Sequence, residues 1–236
     1  MIRLIHGDCR EYLPIPADVV ITDPPYGVDR NGRMLGQIAS NYHEKGTHTR
    51  GYVDHRPERF RELLVPAFDG MFRSVDRGAS LIAFCGNRTF HEMATIAAEA
   101  GWTMLDILVF RGGGSFAKSK TTLSPRHELA MWMRKPGGTR LVNPNRNITN
   151  VFDIPKSPAP GSTHDTPKPQ AWMRRIVEVF SEEGQTILDP FAGSGSTLIA
   201  AEALGRNAVG IEREEDAVAD ALRLIASARE DAARRQ

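Results

Sequence analysis

The sequence predicts one α/β domain, a mostly parallel twisted sheet with helices on both faces. Three observations lead there. Short apolar runs alternate with stretches of helical period along most of the chain. Two of those runs, ADVVIT and QTIL, each lead into an aspartate followed by proline. The length of 236 residues suits one large domain with a sizeable core and would cramp two.

The elements follow in order. Strands are expected at Ile2–His6, Asp18–Thr22, Ser80–Phe84, Met104–Phe110, Leu129–Met133, Thr186–Leu188 and Ala208–Ile211, where apolar residues cluster over a few positions. Helices are expected at Pro57–Arg73, Phe90–Ala100, Pro169–Phe180, Ser196–Leu204 and Glu214–Ala232. The last carries Val218, Ala221, Leu222, Ile225 and Ala228 on one helical face, with acids at its start and arginines at its end. Three stretches fit neither pattern: Gly27–Arg56, Gly112–Pro125 and the proline-rich Pro155–Pro167. Loops of this length in a compact domain are usually functional or disordered.

Composition excludes several classes. No apolar run is long enough to cross a bilayer, and the N-terminus lacks a signal-peptide core, so a cytoplasmic protein is expected. Cys9 and Cys85 lack zinc-type spacing and read as free buried thiols. His43, His48 and His55 have neither helical i, i+4 spacing nor cysteine partners, so no metal is expected. The net charge is only +1, but eight Lys or Arg stand between Arg111 and Arg146 against one acid, Glu128. A local basic region on a near-neutral chain reads either as a polyanion site or as a solvated face. Glu128, heading a predicted strand, reads as a buried acid near a site or as a strand-edge charge.

Three motifs carry chemistry. Asp23-Pro24-Pro25-Tyr26 sits at the carboxyl end of a predicted strand, where α/β sheets bind ligands. Its prolines donate no N–H, so the Asp23 carboxylate and the Pro24 carbonyl can converge on an NH₂ group, and Tyr26 offers a flat face to a base. The run from Asp189 to Thr197, DPFAGSGST, is a glycine turn between strand and helix. A phosphate-binding loop needs Lys where Ser196 stands, and a dinucleotide fingerprint needs Gly or Ala where Leu198 stands. A turn for another nucleoside ligand remains. Glu212 ends the next predicted strand, placed to accept hydrogen bonds from both ribose hydroxyls.

Together these motifs resemble the DNA amino-methyltransferases of the adenine-N6 and cytosine-N4 type. The tetrad Asp23, Pro24, Pro25 and Tyr26 looks like their catalytic motif. Phe191-Ala192-Gly193-Ser194-Gly195 resembles their S-adenosylmethionine loop, and Gly210-Ile211-Glu212 their ribose-binding acid. Gly7-Asp8-Cys9 is similar to the segment that approaches the cofactor's adenine. His164-Asp165-Thr166-Pro167-Lys168-Pro169 looks like the H-P-T-x-K-P stretch beside its methionine end, with Asp165 in place of the usual proline. The resemblance implies a Rossmann-like S-adenosylmethionine-dependent methyltransferase fold. It assigns the cofactor to Asp8, Cys9, Asp23, His164, Thr166, Lys168, Asp189, Phe191, Ala192, Gly193, Ser194, Gly195, Ser196, Glu212 and Arg213.

The tetrad precedes the cofactor loop, which is the order of the family's permuted β group, often homodimeric. That group normally carries a target-recognition region before the H-x-T-x-K-P helix. Only Asp153–Thr163 is available here, too short for a folded module. Target reading then falls to Gly27–Arg56, Gly112–Pro125 and Arg134–Arg146, with Arg30, Arg33, Lys45, Arg111, Lys118, Lys120 and Arg126 expected on DNA. Aspartate at 23, where serine would favour cytosine, points to adenine N6 in an extruded base stacked on the Tyr26 ring, the hydroxyl being dispensable. Methylation of cytosine N4, of RNA or of a protein amide, and an inactive DNA-binding protein with this fold, stay open as alternatives. Whether the role is restriction–modification, phage defence or regulation stays open too.

Overall fold

In a computed structural model of the chain, residues 1–26, 57–87, 89–112, 126–138, 148–154 and 168–234 are described. Within them the apolar runs become β1 (Ile2–His6), β2 (Val19–Thr22), β3 (Ser80–Cys85), β4 (Thr103–Arg111), β5 (His127–Arg134), β6 (Val151–Asp153), β7 (Thr186–Asp189) and β8 (Asn207–Glu212). The helical stretches become α1 (Cys9–Tyr12), α2 (Pro57–Ser74), α3 (Phe90–Glu99), α4 (Gln170–Phe180), α5 (Ser196–Ala203) and α6 (Glu215–Arg234).

The strands form one sheet in the order β1-β8-β7-β2-β3-β5-β4-β6. All pairings are parallel except those of β5 with β3 and β4. The two strands from the C-terminal part, β7 and β8, therefore sit between the two from the N-terminal part, β1 and β2. This is the permuted arrangement that the motif order implies.

The near-continuous apolar runs are explained by burial on both faces of the sheet. In β3, Leu81, Ala83 and Cys85 join the apolar cluster with Leu64, Phe68 and Met71 of α2 and Met93 and Ile96 of α3. Ile82 and Phe84 point the other way, into the cluster with Trp172 and Ile176 of α4, Leu198 of α5 and Ile225 of α6. After β7 the chain crosses through α5 on one face; after β2 it crosses through α2 on the other. Between the carboxyl ends of β7 and β2 this divergence opens a crevice, where ligands of such sheets bind.

Three elements depart from expectation. The four-residue α1 and three-residue β6 are too short for any periodic signal. On α6 the buried stripe is Ala217, Asp220, Ala221 and Ile225, while Leu222 is 56% exposed. The stripe is thus rotated from the expected one, and Asp220 within it is paired with Arg223 at 2.8 Å. No helix among the described residues is long and apolar enough to cross a membrane.

Candidate active site

The glycine turn lies where β7 ends. Gly193 and Gly195 have φ of 51° and 79°, the left-handed region that glycine enters without steric cost. Phe191 packs into one core cluster and Ala192 into the other, which pins the turn across the sheet. The seat beneath also requires glycine. A Cβ on Gly210 would stand 2.7 Å from Leu198 Cδ1 and 2.9 Å from Ala192 Cβ.

Asp189, expected at the cofactor, has its carboxylate turned into the scaffold instead. Its Oδ1 accepts the Thr22 hydroxyl at 2.7 Å and the Phe191 N–H at 3.2 Å, and Thr197 also bonds to it. This joint ties the end of β2 to the start of the glycine turn. Burial pushes the Asp189 carboxyl up to about 6, against these hydrogen bonds. The raised value means the folded state holds a proton that the unfolded state releases, so stability from this group falls as pH climbs from about 4 to 6. Asp189→Asn should therefore gain on the wild type by about 2 kcal/mol between pH 4.5 and 7.5, read by urea unfolding. A pH-independent difference would refute the buried-acid assignment.

Glu212 ends β8 and is 5% exposed. The Gly193 N–H donates to its Oε2 and the Glu214 N–H to its Oε1, both at 2.8 Å. A carboxylate oxygen accepts two hydrogen bonds, so each keeps one acceptor site, side by side, as a vicinal diol requires. Asp8 follows β1, whose His6 is in register with Glu212. It caps α1 and accepts the Arg10 guanidinium at 2.6 Å, which holds its carboxyl below the usual range. Cys9, expected at the cofactor, has its side chain in the core, and burial pushes the thiol up to about 12, leaving only backbone for a ligand. Ser194 is buried with its hydroxyl 3.4 Å from that of Ser196. Arg213 is exposed and pairs with Glu214. The residues present fit S-adenosylmethionine: a glycine turn for close approach, a paired acceptor for ribose, and a further acid one strand away. Glu212→Ala should weaken cofactor affinity about 10- to 100-fold through lost charge-assisted bonds, measured by calorimetry.

The tetrad leaves β2 beside this turn. The Tyr26 hydroxyl donates a short hydrogen bond to Asp23 Oδ1. Lys168, leading into α4, places Nζ 2.8 Å from Asp23 Oδ2, 3.2 Å from Glu128 Oε2 and 3.0 Å from the Tyr26 hydroxyl. The same ammonium lies 5.3 Å over the Tyr26 ring and 4.8 Å over Phe84. Gln170 of α4 donates to the Ser196 carbonyl at 3.2 Å, which draws this segment against the glycine turn. Burial alone would depress the Lys168 ammonium, but Asp23, Tyr26 and Glu128 outweigh it and hold it well above the ordinary lysine value. Burial and the Asp23 charge likewise push the Tyr26 phenol well above its usual value, so it is no general base near neutrality.

These contacts alter two expectations. Lys168, assigned to the cofactor, touches the tetrad. The Tyr26 hydroxyl, expected to be dispensable, holds Asp23 in place. Tyr26→Phe should consequently lower turnover about 2- to 10-fold, the worth of one hydrogen bond, and Tyr26→Ala further. Single-turnover rates that fall as far for Phe as for Ala would show the phenol acting chemically. Glu128 proves to be a half-buried acid beside the tetrad, with its carboxylate on Lys168; a lone acid in a basic stretch, heading an apolar strand, was its signal.

Arg111 and Arg126 stand at the carboxyl edge of the sheet, on the side of the tetrad, and Arg111 pairs with exposed Asp153. Arg134 and Lys135, included in the expected basic reading segment, do not. Arg134 is in register with Ser80 and Thr103, the first residues of their strands and so the opposite edge. The Lys135 ammonium donates to the Phe72 and Val75 carbonyls at 2.7 and 2.8 Å, closing the end of α2. Arg30, Arg33, Lys45, Lys118, Lys120, His164 and Thr166 lie outside the described residues.

A mostly parallel sheet with a glycine turn and a carboxylate acceptor at its carboxyl edge is the arrangement of a Rossmann-like S-adenosylmethionine-dependent methyltransferase. A family model described as DNA methylase matches residues 17–223, and the chain belongs to that family. YubD of Escherichia coli K12, which carries a provisional methylase name, is 30% identical over 219 residues, covering 90% of this chain and 85% of its own. The type II methyltransferase M.HindIII of Haemophilus influenzae is 25% identical, covering 82% and 84%. Among solved structures, TTHA0409 of Thermus thermophilus, a DNA modification methylase by name and complexed with S-adenosyl-L-methionine, superposes with a TM-score of 0.69 at 25% identity, covering 97% and 94%. The cytosine-N4-specific PvuII DNA methyltransferase shares the fold, with a TM-score of 0.72 at 14% identity.

Proposed function

We propose that the protein transfers the methyl group of S-adenosylmethionine to the N6 amine of adenine in DNA, as a single domain without a separate target-recognition module. The observation that carries this reading is the Asp23 carboxylate at the carboxyl end of β2. It stands in the crevice beside the Glu212-anchored glycine turn, oriented by the Tyr26 hydroxyl and Lys168. Glu212 and the turn from Phe191 to Ser196 would hold the cofactor, which supplies a methyl carbon made electrophilic by its sulfonium.

The chain's own task is to prepare the nitrogen, whose lone pair is delocalised into the base ring. Asp23 and the Pro24 carbonyl accept its two N–H groups, which favours a tetrahedral nitrogen and stabilises positive charge developing there. A duplex base is unreachable in its stack, so the target is extruded into the crevice and held against Tyr26. Alignment of the nitrogen with the methyl group then contributes much of the rate. Aspartate at 23, a charged acceptor where a serine would favour cytosine, supports adenine. Segments Gly27–Arg56 and Gly112–Pro125, with Arg111 and Arg126, carry the DNA contacts in this reading.

The test offers the protein and methyl-labelled cofactor duplex DNA, total RNA and a protein mixture in parallel. Label is expected in DNA alone. Label confined to RNA or protein would overturn the substrate class.

A further inference from the structure

The arrangement around Lys168 carries a consequence for which bases can react, and it rests on the base-methylation reading above. An ammonium has three N–H donors and no acceptor. Here they face three oxygens: Asp23 Oδ2 at 2.8 Å, Glu128 Oε2 at 3.2 Å and the Tyr26 hydroxyl at 3.0 Å. Asp23 is also the acceptor the reacting amine needs. Asp23 Oδ2 can accept a second hydrogen bond beside that of Lys168, so an amine that brings its N–H there sets the neighbouring ring nitrogen of its base next to the ammonium, which Glu128 and Tyr26 hold in place. A ring nitrogen there accepts a charge-assisted hydrogen bond, whereas a C–H in its place leaves the ammonium desolvated against carbon.

We propose that Lys168 is a specificity-determining residue whose ammonium donates to the unprotonated ring nitrogen beside the target amine, N1 in adenine or N3 in cytosine. Asp23 then reads the donor half of an N=C–NH₂ edge and Lys168 the acceptor half, and the pair fixes the base in its plane. A bare cation against that ring nitrogen would draw electron density from the amine. Glu128 offsets this, since its carboxylate stays with the ammonium and the base meets a hydrogen bond from a neutralised pair. The role differs from a cofactor contact, which would leave the ring nitrogen unread.

The experiment measures kcat/KM on duplexes carrying adenine, 1-deazaadenine or 7-deazaadenine at the methylated position. The 1-deaza base lacks the ring nitrogen beside the amine; the 7-deaza base lacks one on the other ring. The wild type should disfavour 1-deazaadenine by about 10- to 100-fold relative to adenine and accept the 7-deaza base nearly as well as adenine. Lys168→Met should shrink the 1-deaza gap to about twofold, because intrinsic differences in amine reactivity are common to both enzymes, with cofactor affinity kept. A wild type that methylates 1-deazaadenine as well as adenine overturns the proposal without any variant. So does Lys168→Met with the gap intact, and doubly so if its cofactor affinity collapses. Transfer to a cytosine instead overturns the adenine reading alone, and 3-deazacytosine then takes the place of the 1-deaza base. Transfer to none of these duplexes overturns both.

Discussion

Asp23→Ala is expected to lower single-turnover methyl transfer by about 10²- to 10³-fold or more while DNA affinity stays within a few fold. The acceptor removed acts on charge that develops only as the nitrogen reacts, so its loss falls on the chemical step. The structure adds a second effect that the sequence does not disclose. Asp23 is one of three oxygens around a largely buried ammonium, that of Lys168. The variant should lose about 1–3 kcal/mol of stability, limited because Glu128 and Tyr26 remain as partners. Asp23→Ala combined with Lys168→Met should recover stability and no activity, which separates the two effects. Turnover of Asp23→Ala within tenfold of wild type would remove Asp23 from the reaction.

Gly193→Val is expected to abolish measurable cofactor binding in a protein that still folds. Gly193 has φ of 51°, which a β-branched residue adopts only as an outlier. Relief of the strain would rotate the peptide whose N–H donates to Glu212 Oε2, so the turn and the ribose acceptor would be disturbed together. Calorimetry should read at least about a hundredfold loss of affinity, with far-UV circular dichroism unchanged. That size follows from losing two charge-assisted hydrogen bonds at Glu212 and the close approach of the backbone. Unchanged affinity in the folded variant would sink the turn as the cofactor site.

The fold was legible because doubly buried strands write themselves as apolar runs and amphipathic helices as periodic ones. The long helices and the strands of four or more residues stand where those patterns place them. The failures have physical causes. α1 and β6 are shorter than any period, and Leu222 is apolar but exposed, since hydrophobic residues outside the core are common. Motif chemistry placed Asp23, Gly193 and Glu212 at one edge of the sheet, as the structure has them. It could not tell which acids work on the ligand and which on the scaffold. Asp189 reads like Asp23 in sequence, an aspartate before a proline after an apolar run, yet its carboxylate bonds inward to Thr22. That difference depends on a partner 167 residues away. Lys168 is similar: its motif implies a cofactor contact, while two of its oxygen neighbours come from the tetrad turn and one from β5. The basic segment misled for a related reason, because β5 runs antiparallel and carries Arg134 and Lys135 to the far edge.

Activation of an adenine N6 amine in duplex DNA by Asp23, as proposed, leaves its mark in the methylated nucleoside. The measurement that tests it most directly incubates the wild type with methyl-labelled S-adenosylmethionine and unmethylated duplex DNA, digests the product to nucleosides and separates them by mass. Label is expected in N6-methyldeoxyadenosine, and none in the same assay with Asp23→Ala. Label in N4-methyldeoxycytidine, or in N6-methyldeoxyadenosine at equal rates with and without Asp23, would contradict it.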